Sequence, residues 1–434
     1  MHGDFSRLTF DSAKQYSRVL MQQGRVQIDA DWNEQASLLL EQIRTLARSL
    51  IGPVGGVGAA FQVTPNDDRS DLVIAPGIYF VNGILGVSDG TLRVPRPSTN
   101  PAEKRPDGDY LVYLSVFERH VTFVQDDDLR DKALGAGVDT ASRTKVLVML
   151  SVLAVPGLAA TAGGARDEAV QKALVGVAAP DDGRPQMSAL IDEVAASPHE
   201  ICTVPPFAHY RGPGNQLYRV EIHQPAGPGT KAAFKWSREN GSVVFPVTGA
   251  SDGRTLSIER FGRSGPIALA KDDWVELEDD ALVAAKTVRD LARVVSVQAD
   301  RVTLDTPAPP DFGKDARTHP LLRRWDRGTA RAGAATARGV TLIEEEKKPY
   351  PLELGVSVAF ETLGHPFRRG DYWLVPARTA TGNIDWPKGV YRPARRAEWG
   401  VAPLAILTMK DGKVDGAVAD LRSTIAPLAK PVGP

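Results

Sequence analysis

The chain has 434 residues, with 53 acidic against 52 basic side chains and a formal net charge of −1. That balance lacks the Lys/Arg excess by which nucleic-acid binders and polybasic membrane-surface proteins hold anionic partners, so neither nucleic acid nor lipid is expected as a partner. The length exceeds the usual single domain, and two or three packed units are expected, each with its own core.

Cys202 is the only cysteine, which rules out an intramolecular disulfide and a Cys-based zinc site. The opening MHGDFSRLTF holds no apolar run of signal-peptide length, and no stretch approaches the ~18 apolar residues of a membrane span. The expectation is a soluble protein without a signal peptide, cytoplasmic when made, for which any extracellular role needs release by another path such as lysis. Gly and Pro together make 72 residues, which with many short apolar runs favours strands and turns over a helical bundle.

In chain order, residues 16–28 (YSRVLMQQGRVQI) read as a short helix or an extended arm. Trp32, Ala36, Leu39, Leu40, Ile43, Leu46, Ala47 and Leu50 then recur at three- and four-residue steps, one stripe of a helix over 32–50. Asp31 and Glu34 have capping-box spacing, Gly52-Pro53 supplies the stop, and Glu41, Arg44 and Arg48 fall on the other side. A lone helix ahead of a β-patterned chain must complete a core or grip a partner. Its stripe of Trp32, Leu39, Leu40, Ile43, Leu46 and Leu50 is therefore the candidate protein–protein interface.

Short β-type runs follow: DLVIAPGIYFVNGILGV, YLVYLSVFERHVTFV and KVLVMLSVLAV, separated by Pro- and Gly-rich stretches. Over 157–200 the texture turns Ala-rich, and ARDEAVQKALVGV and MSALIDEVAAS both read as helical. Strands resume in NQLYRVEIHQP, KAAFKWS, GSVVFPVTG, RTLSIER, DWVELED, LARVVSVQADRVTLDT, GVSVAFE and YWLVPAR, while RGTARAGAATAR and the tail PLAKPVGP read as loops. The expected fold is mainly β (α+β): a long amphipathic helix, then two β-rich sandwich- or barrel-like units with an Ala-rich helical connector. The boundaries are 1–52 for the attachment segment, 53–156 for the first unit, 157–200 for the connector, 201–427 for the second unit and 428–434 for a flexible tail.

No HExxH, GxSxG, Walker loop or strand-following GxGxxG occurs, so no catalytic residue, metal or cofactor is assigned. His209 and His223 lack a third ligand at any metal spacing and are not read as a metal pair, and QDDDLRD (125–131) lacks the glycine and glutamate of an EF-hand loop and reads as a solvated loop. Cys202 with His209 could be drawn as nucleophile and base, but nothing supplies the orienting group. Asn240-Gly241 between KAAFKW and SVVFPV reads as a β-hairpin turn. Trp236 and Arg238 beside it, and Tyr372, Trp373 and Trp386 in GDYWLVPAR…IDWP, are candidates for surface aromatic contact or, alternatively, for core. Alternation puts Tyr372 and Leu374 on one face of their strand, with Trp373 and Val375 on the other.

The block HGDFSRLTFDSAKQYSRVLMQQGRVQIDADWNEQ resembles the N-terminal signature of a bacterial domain-of-unknown-function family associated with extracellular contractile injection systems, the phage-tail-like particles. A weaker form of it is similar to phage tail-fibre and baseplate-attached proteins. Further blocks carry the resemblance along the chain: residues 110–144, NQLYRVEIH, FKWSRENGSV, HPLLRRWD and GDYWLVPAR. The resemblance implies a structural component, a baseplate-associated cage, fibre-root or attachment subunit. Its partners would be other baseplate or tail subunits and copies of itself, as a trimer or hexamer.

A second reading from a different class is a carbohydrate-binding or carbohydrate-cleaving protein using the tryptophan-rich stretches. Cleavage needs two carboxylates roughly 5–10 Å apart, for which Glu221, Glu239, Glu276 and Asp371 are available. An exposed aromatic row beside paired acids in a cleft would favour that reading, and a flat self-complementary surface would favour assembly.

Overall fold

A computed structural model describes residues 2–93, 105–134, 139–177, 183–191, 210–259, 268–285, 289–327, 336–396 and 399–425. Cys202, His209, most of RGTARAGAATAR and the C-terminal tail lie outside the described residues. The fold is mainly β, as the composition and alternation predict, and its strands gather around three interiors.

The first interior lies between two four-stranded sheets. One runs Thr424–Ile425, Val54–Val57, Gly77–Val81, Ile84–Ser88; the other runs Lys413–Asp420, Trp399–Lys410, Gly108–Val121, Arg143–Ala154. Alternation along Gly108–Val121 sends Val112, Leu114 and Val116 into the core shared with Tyr79, Val81 and Ile84. Leu111 and Tyr113 point the other way, where Val170 and Leu174 of the helix Gly163–Val177 cover them. The strand reads as a continuous apolar run because both its faces are buried. Residues 399–425, which the sequence reading groups with the second β-rich unit, pair along Gly108–Val121 from Trp399 opposite Phe117 to Met409 opposite Gly108. The first interior is thus closed by the end of the chain.

The second interior is a sandwich of a six-stranded sheet, ordered 336–337, 340–342, 233–237, 216–224, 372–378, 383–384, against a four-stranded sheet, ordered 350–353, 356–361, 186–191, 392–393. Tyr218, Val220, Phe234, Trp236, Phe360 and Trp373 pack between them. MSALIDEVAAS is expected to be helical, but its described part is the strand Gln186–Ile191, paired in full register with Val356–Glu361. The free edge and the apolar interior on offer there outweigh the helix propensity of Met, Ala and Leu. Among its described residues the connector region therefore holds the helix Gly163–Val177, preceded by a 3-10 turn at Leu158–Ala160, and one strand of the second sandwich.

The third interior is a closed six-stranded barrel, 244–250, 255–258, 301–304, 292–298, 274–278, 321–325, filled by Phe245, Leu256, Val275, Val294, Val302 and Leu322. It is inserted between strands 233–237 and 340–342 of the second sandwich.

Asn240 and Gly241 both have positive φ (52° and 65°), and Ser242 N donates to Glu239 O at 3.0 Å, so the tight turn forms. It does not close the expected hairpin. Ala233–Ser237 pairs with strands 216–224 and 340–342, whereas Val244–Ala250 pairs inside the barrel with 255–258 and 321–325. The turn passes the chain from one body to the next. The hairpin geometry that Asn-Gly favours appears instead at Asn82-Gly83, with Val81 opposite Ile84 across a two-residue loop and both loop residues at positive φ.

Candidate assembly surface and buried ionic junction

The N-terminal helix spans Asp29–Ile51, longer than the 32–50 of the periodicity. Its N-cap is Ile28, in extended conformation and without a side-chain cap, so Asp31 lies inside the helix. The acids of the first turns serve tertiary contacts: Asp29 accepts from Ser6 N at 2.9 Å, and Glu34 accepts from the Thr9 hydroxyl. The arm before the helix is extended, with a single 3-10 turn at Ser12–Lys14. It lies along the helix, where Gln35 Oε1 accepts from Val19 N at 2.8 Å and Gln42 donates to Ser17 O at 3.4 Å. Gly52, with φ of 92°, ends the helix and donates to Arg48 O at 3.0 Å.

The orientation of the helix is the reverse of what its amphipathicity suggests. Arg44, on the polar side of the wheel, is 7% exposed and pairs with Glu118 of the first sandwich. Ala30 and Leu38 are buried with it. The expected stripe faces outward: Trp32 is 77% exposed, Leu39 49%, Leu40 41%, Ile43 62%, Leu46 60% and Leu50 72%. Among the described residues, eleven of the twenty-one large apolar side chains that stand exposed lie between Tyr16 and Leu50. The exposed apolar surface is therefore concentrated on the arm and helix, beyond the scatter of single residues that any surface carries.

The aromatic residues put forward for surface contact are interior. Trp236, Trp373 and Trp386 belong to the core of the second sandwich, and Tyr372 is buried on the opposite face of its sheet. The alternation of Tyr372/Leu374 against Trp373/Val375 holds, but both faces are covered, the outer one by Phe5 and Leu8 of the arm. Arg238 is the one partly exposed member, and its guanidinium pairs with Asp326 at 3.3 Å and Glu353 at 2.9 Å.

A second constellation arises where the outer face of the six-stranded sheet meets the barrel. Period-2 alternation drives Tyr218, Val220, Ile222, Phe234 and Trp236 into the sandwich and Val275, Leu277 and Leu322 toward the barrel interior. The residues between them, Arg219, Glu221, Lys235, Glu276 and Arg323, are then enclosed between the two bodies, each less than a tenth exposed. Lys235 lies opposite Glu221 across the strands and bridges it, at 3.3 Å, to Glu276. Arg219 Nε donates to Glu221 Oε2 at 2.6 Å, Trp325 Nε1 donates to Glu276 Oε2 at 2.9 Å, and Arg323 Nε donates to Glu278 Oε1 at 2.6 Å.

The N-terminus seals this junction. His2 Nε2 is 3.1 Å from Glu221 Oε2, and Asn240 Nδ2 donates to Gly3 O at 2.9 Å. Burial, then Arg219 and Arg323 nearby, hold the His2 imidazole well below its usual range, so it meets Glu221 as a neutral donor. Burial pushes the Glu221 carboxyl up, but Arg219 and Lys235 outweigh it and hold the group well below the usual carboxylate range. Glu276 is likewise lowered, with Lys235 the main attraction set against its burial. Charges taken out of water are tolerated here because each is matched and hydrogen-bonded. With their lone pairs taken up by cations, these carboxylates act as a clamp joining arm, sandwich and barrel.

Of the four carboxylates the carbohydrate reading needed, Glu221 and Glu276 are brought together on Lys235, Asp371 pairs with Arg396, and Glu239 lies 3.5 Å from Arg324. Glu239 is the exception electrostatically: burial and the neighbouring Asp326 push it up to about 7. Two surface depressions, one beside Asp71, Arg105 and Met409 and one beside Arg184, Leu363 and His365, contain no tryptophan and no pair of acids. His223 is buried, with desolvation lowering it to about 4, and among the described residues no three His, Cys, Asp or Glu gather as a metal site. In the 125–131 loop Arg130 pairs with Asp127 and with Glu259 of the barrel. Among the described residues no helix is long and apolar enough to cross a membrane.

A family of unknown function (DUF6519) matches residues 1–183 and 165–413. No curated protein and no solved structure matches the chain. The arm, the outward helix, the second sandwich, the barrel and most of the first interior fall within the matched residues, and the chain belongs to that family of unknown function, DUF6519.

Proposed function

We propose that this protein is a structural subunit of a phage-tail-like contractile injection particle, a baseplate-associated cage, fibre-root or attachment subunit, and that it works by protein–protein assembly through the helix Asp29–Ile51. The observation that carries the reading is the inverted helix: an arginine is buried against the body while a tryptophan, four leucines and an isoleucine stand more than 40% exposed on the outside. Exposing that stripe costs free energy in a lone chain, and a neighbouring subunit recovers it by burial. The particle context rests on the resemblance of the sequence blocks above. The aromatic residues on which the carbohydrate reading draws, Trp236, Tyr372, Trp373 and Trp386, are buried.

The test is incorporation. Sheathed particles isolated from producing cells should contain this chain by mass spectrometry. Leu39→Asp with Leu46→Asp should leave a chain that folds, with parental circular dichroism, yet is missing from the particles. A parent chain absent from particles, or a doubly substituted chain that still enters them, would overturn the proposal.

A further inference from the structure

The spacing of the exposed stripe says what shape covers it. Trp32, Ala36, Leu39, Ile43, Leu46 and Leu50 follow one another by 4, 3, 4, 3 and 4 residues, an unbroken heptad seam with Ala36, Ile43 and Leu50 at a and Trp32, Leu39 and Leu46 at d. All six are exposed, and the buried Ala30, Leu38 and Arg44 occupy b and c positions on the far side. A helix that merely lies on a globular body follows its 3.6-residue period inward. Here a strict 3.5-residue period faces outward, which is the pattern of a helix packed on helices.

From the fractional exposures and full side-chain areas of roughly 150–250 Å², the seam and Leu40 offer about 700 Å² per copy, close to the ~800 Å² per partner of a standard interface. The flanking e and g positions are Asn33, Leu40 and Ala47, and Gln35, Gln42 and Ser49. None carries a charge, so nothing repels an identical helix, and no charge pattern selects a different one. Leu40 and Ala47 widen the apolar face on the e side, as in bundles of more than two helices. On the g side Gln35 and Gln42 hold the arm.

We infer that the partner is a second copy of this chain: the helices Asp29–Ile51 of three or more copies pack in parallel, in register, along this seam. The inference rests on the reading of the helix as an assembly surface and adds the identity of its occupant. The bodies, each joined to its helix at Arg44–Glu118 and at Pro53, would then stand around a common axis parallel to the bundle.

Sedimentation velocity on the full chain, over a wide concentration series, should show a closed oligomer. Leu39→Asp with Leu46→Asp should weaken it at least a hundredfold while circular dichroism stays parental. Register is read in a Cys202→Ser background. Leu50→Cys and Leu39→Cys should each form disulfide-linked chains under mild oxidation, and Glu41→Cys, on the far side, should not. A parent chain that stays monomeric throughout and gives no cross-link overturns self-assembly; if it still enters particles while the Asp variant does not, the helix docks on a different subunit and the assembly reading stands. Linkage at Leu39→Cys without linkage at Leu50→Cys overturns the parallel register. Equal linkage at Glu41→Cys overturns the seam.

Discussion

Replacing Lys235 by Met tests whether the junction between sandwich and barrel is held by matched charge. Met keeps the length and the apolar stem, and it retains contact with the Trp325 ring, over which the Lys235 ammonium sits at 4.2 Å from the centroid. What it removes is the cation shared by Glu221 and Glu276. Breaking a buried pair by deleting one partner costs about 3–5 kcal/mol. The lower end applies here, because Arg219 still holds Glu221, and Arg369, 3.6 Å away, with the Trp325 N–H still serves Glu276. A loss of about 3 kcal/mol is expected in urea unfolding at pH 8, followed by tryptophan fluorescence. In the parent, the Glu276 pKa is depressed on folding, so its contribution is present above the unfolded carboxylate pKa and is lost as pH falls. In the variant the desolvation of Glu276 is left less opposed and its pKa rises, so the deficit should shrink between pH 8 and pH 5. Adding Glu276→Gln removes the stranded charge and should recover most of the loss. A single variant within about 1 kcal/mol of the parent, or a double variant no better than the single, would refute the account.

Gly241→Val should lower stability by about 2 kcal/mol or more, because φ is +65° and a Cβ there would meet the His2 ring at 2.8 Å. The same change should expose the N-terminal arm to proteolysis; a variant that melts and is cleaved like the parent would refute the docking of His2 at this turn. Glu239 keeps its proton up to about 7 in the folded chain but releases it near 4.5 when unfolded, so it withdraws stability as pH rises through that window. Glu239→Gln should therefore raise stability at pH 8 by up to about 3 kcal/mol and leave it unchanged at pH 4, as read by thermal melts across pH.

Strand existence was legible because it depends on a two-residue period and on Gly and Pro punctuation, both local. The helix was legible for the same reason, although its start was not: Asp29 and Glu34 bond to Ser6 and Thr9 of the arm, partners that no capping rule can see. The turn chemistry of Asn240-Gly241 was also legible, since positive φ is a property of those two residues. Which strands the turn joins was not, because pairing depends on which backbone edges are free, and both neighbouring edges are taken by strands distant in sequence. Asn82-Gly83 carried the same dipeptide signal and does close a hairpin. MSALI, apolar and rich in helix formers, became a strand because a sheet edge and an interior were waiting for it.

The sequence by itself determined the β-rich class, the heptad stripe and the near-zero charge, since each is a matter of composition or spacing along the chain. Only the tertiary structure decided which way the helix faces and where the charges of RVEIH, FKW, VELE and LRRW go. In each strand the alternation predicts one apolar face and one polar face, and a polar face ordinarily meets water. Here the six-stranded sheet and the barrel set their polar faces against each other, so that Arg219, Glu221, Lys235, Glu276 and Arg323 solvate one another in place of water. The helix does the converse, turning its one buried arginine toward Glu118 and its leucines away. Burial is a relation between surfaces, and the second surface is not written at the position that it covers.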